Sequence, residues 1–191
     1  MKNRGRLILR IFAMIGAVLF LGGAVFAEDF SANMISTTKE GTYQGKVFVT
    51  KDKMRIEMMG SITISRADRK AVWMLMPEDK TYMEMSLNPQ DIVMTGEKTQ
   101  DEVSRRIIGT ETIDGKMADK YEIEYAVKGN NSRVFVWLVK NSNLPVKSAA
   151  TDGSWSVEYK NIVVAKQPAS LFEIPAGYKK FSTDFPGMGE L

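Results

Sequence analysis

Residues 70–86, KAVWMLMPEDKTYMEMS, hold two apolar, aromatic-rich runs on either side of a Pro-Glu-Asp-Lys turn, the pattern of a β-hairpin. A symmetric loop centred between Glu78 and Asp79 places Met74 opposite Met83, Val72 opposite Met85 and Met76 opposite Thr81. Directly opposed residues share a face of an antiparallel pair. One face is therefore Val72, Met74, Met76, Met83 and Met85, and the other carries Trp73, Leu75, Tyr82 and Glu84. A face built mostly of unbranched thioethers adapts to variable apolar shapes. The same alternation also describes ordinary core filling, because period-two apolarity by itself reports only burial.

Working outward, residues 42–59 form a second hairpin turning at Lys51-Asp52. Its register pairs Val49 with Met54, Val47 with Ile56 and Gly45 with Met58, while Phe48 faces Arg55 and Lys46 faces Glu57 on the other side. One face is again aliphatic and methionine-rich and the other mostly polar, as in half-buried antiparallel sheets. Val47, Val49, Met54, Ile56 and Met58 thus join the five residues of the first hairpin as the candidate lining of an apolar cavity between two neighbouring ribbons.

The remaining elements follow from the same periodicities. Residues 28–39 place Phe30, Met34 and Ile35 near helical spacing and predict a short helix. Residues 61–66 form a short strand with Ile62 and Ile64 on one side, so 42–86 is a meander of five strands. Residues 87–104 predict one or two short helices starting at Asn88-Pro89. Asp114-Gly115 is a strong turn signal within a third hairpin over 105–127. Residues 132–140 are apolar on both sides and predict a central strand. Strands at 144–151 and 154–165 follow, then a short segment over 171–178 and an irregular tail. Nine or ten antiparallel strands with a little helix make a mainly β (α+β) chain with one sheet, and a sheet that wide curls.

The first residues stand apart. Lys2, Arg4, Arg6 and Arg10 precede an apolar run over 11–25 and the small residues of Val25-Phe26-Ala27, which predicts a cleavable secretory signal peptide over 1–27 and one domain over 28–191. The whole chain has 26 Lys and Arg against 23 Asp and Glu. Four of the basic residues lie in that leader, leaving 22 against 23, so the basic excess is a property of the leader and implies no nucleic-acid partner. Cys and His are both absent. That excludes disulfides, zinc sites built on Cys or His, and nucleophile systems that need a histidine base. The carboxylates Glu57, Glu84, Asp91, Glu122 and Glu124 fall on the wet sides of elements without an acid–base arrangement, so no enzyme and no cofactor is expected.

Three segments carry a resemblance. Residues 43–46 (YQGK) run through 53–58 (KMRIEM). Residues 68–85 contain VWMLMP and YMEM. Pro145 is followed by LFEIPAGY at 171–178. Together they resemble the superfamily of bacterial lipoprotein-localisation factors, the LolA/LolB-like fold, in its periplasmic branch of uncharacterised proteins. The resemblance implies an unclosed half-barrel, a single curved antiparallel sheet over short helices, with an apolar cavity for lipoprotein acyl chains or related lipids. It also implies an arginine that fastens a lid, for which Arg55 and Arg66 both stand open. The expected protein is a monomeric periplasmic carrier of a lipid or acylated lipoprotein, with at most peripheral membrane contact. A protein-interaction or stress-sensing module with an envelope protein partner is the alternative, and Trp137 and Trp155 are the aromatic candidates for its surface. A third reading, Cu(I) held by the thioethers of Met74, Met76, Met83 and Met85, rests on the softness of sulfur ligands.

Overall fold

The computed structural model describes residues 29–87, 102–127 and 130–181. The leader over 1–27, most of the segment expected to be helical over 87–104, and the last ten residues lie outside that set. Twelve strands form one sheet whose order is β12-β6-β5-β4-β3-β2-β1-β11-β10-β9-β8-β7. In chain order they are β1 (Phe30–Thr38), β2 (Gly41–Thr50), β3 (Lys53–Met58), β4 (Ser61–Arg66), β5 (Ala71–Met76), β6 (Thr81–Ser86), β7 (Glu102–Ile113), β8 (Lys116–Val127), β9 (Asn130–Val139), β10 (Pro145–Ala150), β11 (Trp155–Val164) and β12 (Lys179–Lys180). The two ends, β12 and β7, do not pair, so the sheet is a half-barrel that stays unclosed.

The two hairpins adopt the expected registers. Met74 is opposite Met83 and Val72 opposite Met85, while Val47 is opposite Ile56 and Val49 opposite Met54. Tight two-residue turns hold such pairings. Met59-Gly60 and Asp114-Gly115 both have positive φ at each position, the backbone twist that suits a right-twisted hairpin.

The opening segment is a strand, not the expected helix. Phe30, Ala32, Met34 and Ser36 are buried in strict alternation, and β1 pairs with β2 and β11 in the middle of the sheet. Adjacent Met34 and Ile35 imitate a helical face, but the Phe-x-Ala-x-Met-x-Ser period of two and the β-branched Thr37-Thr38 pair favour extended chain. Glu102, Val103 and Ser104, also expected in helix, open β7. The pairing is not wholly antiparallel, because β12 adds to β6 in parallel. Among the described residues the helical elements are the single 3₁₀ turns Ala67–Arg69 and Ala169–Phe172.

Burial divides by face. On one face Phe30, Met34, Val47, Val49, Val157 and Tyr159 cluster across β1, β2 and β11. On the other, Ile64, Trp73 and Leu75 pack under Phe172 from the C-terminal segment. That segment leaves β11 with the Ala165 amide donating to the Asp29 carbonyl, crosses β3 and β4, and docks at the sheet edge, where the Phe181 amide donates to the Tyr82 carbonyl at 2.7 Å. It is a strap, and its face is called the strap face below; the other is the methionine face.

Candidate functional site

The cross-strand pairings carry each residue's face from one strand to the next. One row on the methionine face runs Phe30, Val49, Met54, Ser65, Val72, Met85; the next runs Ala32, Val47, Ile56, Thr63, Met74, Met83. All ten residues expected to line a cavity therefore share one face. Val47, Val49, Ile56, Val72 and Met74 are buried there, whereas Met54, Met58, Met76, Met83 and Met85 are half-buried. Met58 lies over Gly45, where an added Cβ would come 2.4 Å from the Glu57 carbonyl oxygen and 3.1 Å from the Met58 side chain.

The ribbons are not direct neighbours. Strand β4 lies between β3 and β5, and its methionine-face residues are Ser61, Thr63 and Ser65. The Ser61 hydroxyl donates to the Met58 carbonyl at 2.9 Å. A hydroxyl stripe thus separates an aliphatic patch from a thioether patch. The alternation Ser-Ile-Thr-Ile-Ser over 61–65 contains this signal, because apolar residues on the strap side put hydroxyls on the other.

Charges gather elsewhere. Arg55 and Arg66, the two arginines left open by the resemblance, lie on the strap face and hold the strap. Arg55 donates to the Leu171 carbonyl at 3.0 Å, and Arg66 donates to the Phe172 carbonyl at 2.9 Å and to the Glu173 carboxylate at 2.7 Å. Arg66 is 3% exposed and also grips Asp68 through both carboxylate oxygens at 2.7 Å. That bidentate contact, against the opposing cost of burial, holds the Asp68 carboxyl below its ordinary range and the Arg66 guanidinium firmly protonated. The Lys180 ammonium and then the Trp73 indole N–H do the same for Glu84.

Of the other carboxylates considered as catalytic candidates, Glu57 pairs with Arg55, Glu122 with Arg106 and Glu124 with Arg133. Asp91 lies outside the described residues.

At the β7 end of the methionine face sits a second charged pair that sequence periodicity does not reveal, because Glu102 falls in the segment expected to be helical and Arg105 in the third hairpin. Glu102 accepts from Arg105 at 2.9 and 2.7 Å, with its side chain 1% exposed. Burial, and then the Glu102 charge, push the neighbouring Tyr125 phenol up to about 12. Neither Trp137 nor Trp155, the aromatics expected for an interaction surface, is an exposed side chain. Trp137 is 4% exposed, in register between Lys120 and Lys147, whose ammonium groups lie 4.7 and 5.1 Å from its ring centroid. Trp155 is half-buried against the core cluster of β1, β2 and β11.

A family model described as a domain of unknown function, DUF4412, matches residues 31–143. No curated protein matches. Among solved structures the chain is similar to MucB, with 11% identity and a TM-score of 0.52 over 84% of this chain and 62% of MucB. It is similar also to the MucA/MucB complex of Pseudomonas aeruginosa, with 10% identity and a TM-score of 0.52 over 82% of this chain and 60% of that one. The chain thus spans about three fifths of the length of those relatives. A putative outer membrane lipoprotein-sorting protein domain from Vibrio parahaemolyticus also matches, with 12% identity over 84% of this chain and 94% of that one, at a TM-score of 0.39. At such identities a likeness shows a shared fold and no shared activity.

Proposed function

We propose, for a chain that belongs to the DUF4412 family of domains of unknown function, that it is an exported, single-domain envelope protein that holds an apolar, acyl-type ligand against the methionine face of its half-barrel. The observation that carries this reading is the position of the thioethers. Five methionines on one sheet face are only half-buried while their aliphatic neighbours are fully covered, and the strap that seals hydrophobic surface lies on the opposite face. Unbranched thioethers repack around a guest without strain. Each acyl CH₂ moved from water to such a surface gains ~0.8 kcal/mol, so a long chain offsets the cost of being ordered. The leader-like first 27 residues support export, and a lipoprotein's acyl chains or a free lipid are the ligand class.

Native mass spectrometry of protein purified from the compartment to which it is exported tests the reading. An adduct with an acyl-chain mass is expected. Protein that comes without one and also fails to bind a fluorescent fatty-acid probe would overturn it.

A further inference from the structure

The sheet has two ends, and the chain treats them differently. At one end the strap adds β12, whose Lys179 and Lys180 run beside Thr81 and Tyr82 of β6. Covering strands and lysines are the usual protection of an edge, because unpaired amides and carbonyls otherwise template a foreign strand. At the other end, among the described residues, nothing pairs with the outer side of β7. That strand is 12 residues long, holds neither Pro nor Lys, and is exposed at every position from Arg106 to Thr112. Val103, Ile107 and Ile108 are apolar and open to solvent there, Ile107 at 59%.

The pattern along β7 selects its partner. The strand slips by one residue against β8 between Ile107 and Gly109. Before the slip, Arg105 and Ile107 lie on the methionine face and Arg106 on the strap face. After it, Thr110 and Thr112 lie on the methionine face and Glu111 on the strap face. A bulge commonly blunts an edge, but one at mid-strand also shifts the alternation by a residue. Here the shift makes β7 complementary to its own reverse. Turned about a point between Ile108 and Gly109, the strand meets a second β7 with Arg106 opposite Glu111 and Ile107 opposite Thr110. Each of these pairs shares a face, as antiparallel neighbours do. In an unbulged strand Arg106 and Glu111, five positions apart, would point to opposite faces. The two side chains are 70 and 48% exposed and reach Glu122 and Lys120 of β8. Across the joint the signs therefore alternate, from Glu122 and Arg106 of one copy to Glu111 and Lys120 of the other.

We infer that β7 is the contact through which two copies of this chain pair, antiparallel and twofold symmetric, into one continuous sheet. The twofold axis stands normal to the sheet, so the methionine faces of the two copies run on into each other. A single strand edge is a small contact, so the dimer is reversible and the monomer expected from the sequence is its other state. The inference does not depend on what the methionine face holds.

Sedimentation velocity of the exported protein up to ~100 μM tests it, with a dimer fraction expected to rise with concentration. Ile107→Lys should weaken the association at least about tenfold, since a lysine on an edge opposes strand addition. Its melting point should match that of the wild-type monomer, because Ile107 is exposed in the single chain. The sequence has no Cys, so introduced thiols report without background. Ile107→Cys mixed with Thr110→Cys should form a mixed disulfide several times faster than either variant alone, because residues directly opposite lie within disulfide reach and those three positions out of register do not. Met59→Cys, comparably exposed on the turn between β3 and β4, is the control. Wild type that stays monomeric overturns the inference and leaves the edge to an extended segment of another protein. A dimer that Ile107→Lys does not weaken, or Met59→Cys cross-linking as fast as the mixed pair, overturns it too.

Discussion

Arg66 ties the sheet at once to the strap and to the turn that follows β4. It is 3% exposed and binds two carboxylates and a strap carbonyl at once. Arg66→Met keeps the aliphatic volume, leaves Asp68 and the Phe172 carbonyl without their donor, and leaves Glu173 to Arg69 alone. Because both carboxylates reach solvent, the expected loss is about 2–4 kcal/mol in urea unfolding, below that of a sealed pair. Asp68 adds a pH signature. Its carboxyl is held below its ordinary value of 3.8 in the folded chain, so the unfolded chain takes up a proton first as pH falls. The stabilisation is complete above about pH 5 and disappears as pH drops through the depressed value. Acid unfolding followed by tryptophan fluorescence should therefore lose part of its low-pH limb in Asp68→Asn. An unchanged acid midpoint would remove Asp68 from the account. Nothing in the sequence around Arg66 announces this role, since its partners Phe172 and Glu173 lie more than a hundred residues away. Gly45 is similarly silent. Gly45→Ala would drive a Cβ to 2.4 Å from the Glu57 carbonyl oxygen, a backbone atom that cannot swing aside. A cost of about 1–3 kcal/mol is expected, with exchange broadening of β2–β3 amide signals as the check.

At the scale of elements, the strap decides how the β3–β6 half of the sheet is sealed. Phe172 is 1% exposed beneath its 3₁₀ turn and packs on Ile64, Trp73 and Leu75. Phe172→Ala should cost about 3–5 kcal/mol and raise hydrogen exchange along β6 and β12 before other strands. Exchange that rises uniformly across the sheet would show the strap to be no separate unit. The hairpins were legible because a turn of known length fixes a register and the side-chain period of two then assigns every face. β1 and β4 were not read as fully. In β1, Ser36 occupies a buried position where an apolar residue would have completed the alternation, and Ile35 sits on the opposite face. In β4 the short Ser-Ile-Thr-Ile-Ser run was clear as a strand, but its place between the two methionine-bearing hairpins, and hence the hydroxyl stripe, followed from pairing order. β12 has two residues and joins in parallel, which no local pattern signals.

For the whole molecule, the two faces should differ in reactivity. Mild peroxide oxidises accessible thioethers first. Exposed Met59 and Met117 should react fastest, half-buried Met54, Met58, Met76, Met83 and Met85 next, and Met34 and Met74, at 0 and 2% exposure, last. Binding of an acyl ligand should protect the middle group alone, as read by peptide mass spectrometry. Protection of Met59 or Met117, or none at all, would move the ligand off this face.

The amino-acid sequence by itself determined the hairpin registers, the shared methionine face and the mainly β class, because each depends on period-two alternation and on turns of a few residues. Tertiary structure alone decided that β1 lies at the sheet's centre and that Arg55 and Arg66 hold a strap on the far face. Those arrangements join residues up to more than a hundred positions apart, and only strand pairing and the docking of the strap bring such residues together.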